Sequence, residues 1–344
     1  MKKIFLIVAL FASLLLDAQS VYYYLPRNVI KLELTIEETN YHIGPYAEFA
    51  SDMLGTNDYI KENKTEINIK GIDIQLGSQV DPNAAFYFES DEKNKEPLPN
   101  MILDQDGIVK AIGYDNIPAE MLIDRNIVEY NSDEYKEATA VSFIEILDIQ
   151  DDEDDDDDEE GSAKPKKITK EDKAKIALDK IDKARNAYFE LVSGFQEVAY
   201  GNTLPYMVDN VKVIENEYVS LFKGKVVKTT YKRCFYVIPE RNQANGNILV
   251  GKLDNGESLK IAFETKNAPS NAYPSSEEIA TAAQTNKAYY RIPVQTNAKI
   301  TLGNETIATK PLIISQFGEL KLISTKNNKI LFNPNTGQII SFTK

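Results

Sequence analysis

Residues 28–39 read NVIKLELTIEET. Ile30, Leu32, Leu34 and Ile36 alternate with Lys31, Glu33, Thr35 and Glu37. A period of two predicts a strand with one buried and one wet face. Downstream, Tyr46, Phe49, Met53 and Leu54 share one helical face in GPYAEFASDMLG, and Gly55 is a natural stop. A short helix on the sheet is therefore expected.

The same period returns in TEINIKGIDIQLG, where Ile67 and Ile69 keep one parity and Ile72, Ile74 and Leu76 the other. The change falls at Gly71 and predicts a bulge or bend. Asp81-Pro82-Asn83 reads as a turn before the strand AAFYFE, and NMILDQDGIVKAIG as a hairpin turning at Asp104–Gly107. SFIEILDI, residues 142–149, fits either a strand or a short helix.

Beyond residue 165 the period lengthens. Thr169 and Asp172 resemble a capping box, with Asp in place of Glu. Ala174, Ala177, Ile181, Ala184, Tyr188 and Leu191 then form a narrow apolar seam, predicting a helix to Ser193 capped by Gly194. A second helix is expected from Thr203 to Gly224, with Pro205 in its first turn and Leu204, Met207, Val211, Ile214, Tyr218 and Leu221 on its face. The final third returns to strands at 225–239, 247–253, 259–266, 287–303, 312–324 and 329–344. Turns are expected at Asn255-Gly256 and Asn333–Gly337.

The expected class is α+β and β-rich: two mostly antiparallel β domains, sandwich-like or partly closed barrels, with a helical hairpin between them. The expected boundaries are a signal peptide at 1–18, an N-terminal β-rich domain at 19–150, an acidic linker at 151–165, the hairpin at 166–225 and a C-terminal β-rich domain at 226–344.

The first residues, MKKIFLIVALFASLLLDAQS, place Lys2 and Lys3 before the apolar run Ile4–Leu16 and a small residue, Ala18. This is the pattern of a secretory signal peptide, too short for a membrane anchor. No cysteine is near the cleavage site, so a lipoprotein is not expected, and no later stretch is apolar enough for a membrane helix. The mature chain is thus expected to be exported, either periplasmic or associated with the outer membrane. Formal net charge is −14, and ten consecutive acids, Asp151–Glu160, supply most of it. Such a chain does not suit nucleic acid.

Few chemistries find their residues here. Cys234 is the one cysteine, which excludes an intramolecular disulfide, and a small buried residue is expected there. His42 is the one histidine, so a His-rich metal site is excluded and any Ser-His-Asp arrangement would have to use it. A calcium loop begun at Asp156 would use Asp158, Glu160 and Gly161, but its twelfth position is Lys167 where a bidentate Glu belongs. The acidic run instead reads as a solvated linker. Its basic neighbour is in its own chain, since Lys164–Arg185 carries nine basic and four acidic residues. Of Tyr22, Tyr23 and Tyr24, the first and third should share one face of a strand, opposite the second.

Two blocks carry a resemblance. One is VYYYLPRNVIKLELTIEETNYHIGPYAEFASDMLG. The other is the hairpin, with Ile181, Arg185, Leu191 and Gly194, then Glu217, Tyr218, Leu221, Phe222 and Gly224. In these the chain resembles an uncharacterised family of exported Bacteroidota proteins, catalogued as domain of unknown function 4831. The resemblance implies export and the three-part organisation. It implies no activity, and no functional residue carries over from it.

The expected function is a non-catalytic binding or assembly module of the envelope, with an envelope protein partner or a glycan as ligand. The alternative is a glycan-binding protein or a carboxylate-dependent glycan hydrolase. No catalytic, cofactor-binding or metal residue is assigned, and no cofactor is expected.

Overall fold

The computed structural model describes residues 20–89, 98–130, 141–146, 168–193, 200–266, 268–269 and 272–344. The leader, the acidic run and Gly194 lie outside the described residues. The chain forms two compact units. One comprises residues up to Thr35 with Gly71–Asp133 and Lys232–Lys344; the other comprises Ile36–Lys70 and Glu134–Tyr231.

Three long strands contribute to both units: β1 (Ser20–His42), β2 (Lys64–Glu89) and β5 (Lys225–Val237). They form a sheet in the order β2-β1-β5. Ile30, Leu32, Leu34 and Ile36 are all fully buried, as the alternation requires. The opposite face is less wet than expected, because Lys31 is buried too. As the central strand, β1 is covered along both edges. Lys31 meets Glu33 at 3.5 Å, and Glu33 in turn meets Lys232 of β5 at 2.8 Å.

The first unit also holds two four-stranded sheets. One has the order β11-β10-β4-β3, from β3 (Met101–Leu103), β4 (Val109–Ile112), β10 (Lys329–Phe332) and β11 (Ile339–Thr343). The other has the order β6-β7-β8-β9, from β6 (Asn247–Lys252), β7 (Ser258–Thr265), β8 (Lys287–Leu302) and β9 (Glu305–Ser324). Their ladders are antiparallel throughout, and neither sheet closes into a barrel. The expected hairpin turns at 104–107, 255–256 and 333–337 all form. Aromatic residues dominate this unit's core: Tyr23, Phe86, Phe88, Tyr289 and Phe332 pack with Leu25, Val109, Ile112 and Ile330. Phe86 and Tyr289 stack with ring centroids 4.4 Å apart. The Tyr23 hydroxyl accepts a hydrogen bond from the Tyr289 N–H at 2.7 Å, and burial raises its pKa.

One expected turn is absent from this unit. Asp81-Pro82-Asn83 makes no turn; the chain stays extended within β2. Proline is tolerated there because β2 is an edge strand of its sheet. The Asn83 N–H is satisfied locally by Asp81 Oδ1 at 3.0 Å. The parity change at Gly71 does occur within β2: Ile67 and Ile69 lie on one side of it, and the buried Ile74 on the other. A helix also appears where none was expected, α4 (Ser276–Gln284), capped at Ser275.

The second unit holds α1 (Ala50–Leu54) behind a single 3-10 turn, and the hairpin of α2 (Lys170–Ser193) and α3 (Leu204–Lys223). The Asp172 N–H donates to Thr169 Oγ1 at 3.1 Å, and the Thr169 N–H donates to Asp172 Oδ2 at 3.1 Å, completing the expected capping box. Ala174, Ala177, Ile181 and Ala184 are buried, and most of these pack with Tyr46, Ala50, Leu221 and Phe222. Thr203 precedes α3 but its side chain does not cap it. Ile214, placed on the expected apolar face of α3, is half exposed. Gly224 ends α3 at φ +86, where a Cβ would collide with the His42 carbonyl oxygen and Ile60. Residues 141–146 form neither strand nor helix. Among the described residues, no helix is long and apolar enough to cross a membrane.

Candidate functional site

The residues singled out in the sequence do not converge. His42 ends β1 half-buried in the second unit, and Cys234 lies half-buried on β5 in the first, 3.8 Å from Glu33 Oε2, not fully buried as expected. Tyr23 enters the core while Tyr22 stays exposed against Tyr87, which matches the alternation. Among the described residues no group of three or more His, Cys, Asp or Glu side chains is placed to hold a metal.

The first unit instead contains a cleft of about 580 Å³ with a mixed polar and apolar lining, assembled from distant stretches. Arg27 comes from β1, Asp81 from β2 and Gln316 from β9. Pro239, Glu240 and Arg241 follow β5, and Tyr273 lies between β7 and α4. A volume of this size suits a small ligand.

A buried amide cluster fixes one wall. Gln316 Nε2 donates to the carbonyls of Asn28 at 3.0 Å and Pro239 at 2.9 Å, while its oxygen accepts from the Asn28 N–H at 2.9 Å. The Ser315 N–H donates to Asn28 Oδ1 at 2.6 Å. Satisfied buried networks of this kind are rigid. Holding Pro239 sets the start of the next turn, where Glu240 and Gln243 form a capping box around Arg241.

The second wall is ionic. Asp81 and Arg291 of β8 form an ion pair, and both side chains are at most 2% exposed. The Tyr273 hydroxyl donates to Asp81 Oδ2 at 2.8 Å. The guanidinium carbons of Arg241 and Arg291 lie 5.4 and 5.9 Å from the Tyr273 ring centroid. Burial raises the Tyr273 phenol pKa, opposed by Arg291. Burial also lowers the Arg241 pKa, and the charge of Arg291 adds to that. Arg27 Nε and Nη2 donate to the Gln79 side-chain oxygen at 3.0 and 2.8 Å when that amide is turned to present it.

Donors outnumber acceptors. Asp81 spends Oδ1 on Asn83 and Oδ2 on Tyr273 and Arg291. The Glu240 side chain is taken by its own turn. Arg291 Nε and Nη1 and Arg241 Nη2 are buried without an acceptor among the described residues. Such donors are costly unless something completes them.

Sequence reasoning missed this site. One signal was available: Arg291 shares strand parity with Tyr289, placing a charge on a face that also carries a core aromatic.

No curated protein and no solved structure matches the chain. The family model described as "Domain of unknown function (DUF4831)" matches residues 19–340. The chain therefore belongs to the family of domain of unknown function 4831.

Proposed function

We propose that the protein is an exported, non-catalytic binding module of the envelope, and that the cleft between Arg27, Arg241 and Tyr273 holds its ligand. The observation that carries this reading is the surplus of buried guanidinium donors beside a cleft of small-ligand size. Hydrolysis by paired carboxylates fits the cleft less well. That chemistry needs one acid free to give a proton and a second free to attack or to activate water. Here Asp81 is bound into an ion pair and Glu240 into a cap. In this reading the acidic stretch 151–165 is a solvated linker outside the site.

A glycan is the second reading, favoured by surface aromatics. Tyr130 and Tyr236 lie 4.5 Å apart by ring centroid, and Tyr130 is well exposed.

The test is a thermal-shift screen of small molecules and oligosaccharides, run beside a reducing-end assay, on the wild type and Tyr273→Ala. A ligand that stabilises the wild type, is lost in Tyr273→Ala and is not turned over supports the proposal. Release of reducing ends, or no Tyr273-dependent ligand, contradicts it.

A further inference from the structure

The unpaired donors also indicate what kind of ligand the cleft takes. Two guanidinium groups, Arg27 and Arg241, and two carboxylates, Asp81 and Glu240, line the cleft; Asp81 is paired with the buried Arg291, and Glu240 is bonded within its own turn. The remaining deficit consists only of acceptors: three buried N–H-bearing atoms on Arg241 and Arg291 have none among the described residues. Water can accept from these groups, but as a neutral molecule that also donates it matches a guanidinium less well than an anion does. An oxyanion accepts only, and matches the planar fork of a guanidinium.

Position supports the same conclusion. Arg241 lines the cleft, and Arg291 lies directly behind two lining residues, bonded to Asp81 and within 3.5 Å of the Tyr273 hydroxyl. Its charge is matched by Asp81, so what it adds behind the cleft is guanidinium N–H groups without an acceptor among the described residues. Arg27, held by Gln79, lines the same space.

We propose that the ligand of this cleft is anchored by an oxyanion, a carboxylate or a phosphate, received by Arg241 and Arg27 with the buried Arg291–Asp81 pair behind them. This rests on the reading of the cleft as the binding site, and names the chemical class of its ligand.

The test uses the whole chain in thermal unfolding and isothermal titration with three probes: inorganic phosphate, D-glucuronate and neutral D-glucose. Ionic strength is held constant with sodium chloride. Arg241→Gln and Arg27→Gln are measured alongside, and circular dichroism confirms that each variant is folded. The expected result is saturable binding of phosphate or glucuronate, weakened about tenfold or more in each variant, as loss of a charge-assisted bond requires. Preference for phosphate identifies a phosphorylated ligand, and preference for glucuronate a carboxylated one. Binding of either anion that both variants leave unchanged overturns the proposal, since the anion then sits elsewhere. Absence of binding by both anions also overturns it. If glucose binds in an Arg241-dependent way while neither anion does, the anionic class fails but the cleft stands as a binding site. Failure of the cleft itself is read separately, from the Tyr273→Ala screen.

Discussion

Asp81→Asn should be among the most damaging single substitutions in the first unit. The asparagine keeps the shape of the side chain and an oxygen for the Asn83 N–H, now 3.0 Å from Oδ1. It removes the negative charge from a pair whose members are at most 2% exposed. Arg291 is then left as a buried cation with one weakened partner. Breaking a buried pair in this way costs roughly 3–5 kcal/mol. Because one hydrogen bond survives, we expect the lower end, about 3 kcal/mol. A unit of this size loses about 2–4 °C per kcal/mol, so the melting point should fall by roughly 6–12 °C. The double variant Asp81→Asn/Arg291→Met removes both charges and should recover much of that loss, since it no longer leaves a buried cation without its counter-charge. The assay is urea unfolding followed by far-UV circular dichroism, because the chain has no tryptophan to report on. If Asp81→Asn costs under about 1 kcal/mol, or if the double variant is no better than the single one, the buried-pair reasoning is refuted.

Four further outcomes are expected. Gly318→Ala should destabilise by about 1–3 kcal/mol, because its Cβ would collide with the Ile292 carbonyl oxygen at a register shift of β8 and β9. Gly71→Ala is the matched control, with open space around its Cβ position and little change in urea midpoint expected. Ser275→Ala should cost about 1 kcal/mol, because Ser275 Oγ accepts from the Glu278 N–H at 3.3 Å to start α4; hydrogen exchange across 276–284 should quicken. The Lys232 ammonium bonded to Glu33 holds that carboxyl below its ordinary pKa. The folded-state value is the depressed one, so this stability is present above the unfolded carboxylate range and is lost as pH falls through the folded value. Glu33→Gln should therefore narrow the stability loss between pH 6 and pH 3, by up to about 1 kcal/mol. Equal acid sensitivity in both proteins would count against the pair.

Much of the fold could be read from local pattern, and the site could not. The strand of residues 28–39, the hairpin seam from Ala174 to Ala184 and the turn at Asn333–Gly337 each carry their signal within a dozen residues. The 81–83 segment misled because Asp-Pro-Asn is turn chemistry, and only its place on an edge strand lets it stay extended. α4 was missed because it is nine residues of mostly small side chains with no long apolar stripe, although Ser275 and Glu278 form a readable capping box. The outer face of β1 is drier than its alternation predicts because a strand's neighbours decide whether a lysine such as Lys31 is covered. The cleft had no local signal at all. Arg27, Asp81, Arg241, Tyr273 and Arg291 lie far apart in sequence and meet only through tertiary packing.

The most direct test of the arginine cleft is the side-chain Nε–Hε spectrum of the whole chain labelled with nitrogen-15 arginine, with resonances assigned through single Arg→Lys variants. Phosphate or glucuronate is added at constant ionic strength. The account predicts that Arg27, Arg241 and Arg291 shift together along one saturation curve while the exposed Arg185, paired with Glu215 in the other unit, stays still. Movement of Arg185 without the three, or no movement of any of them with every ligand tried, would contradict it.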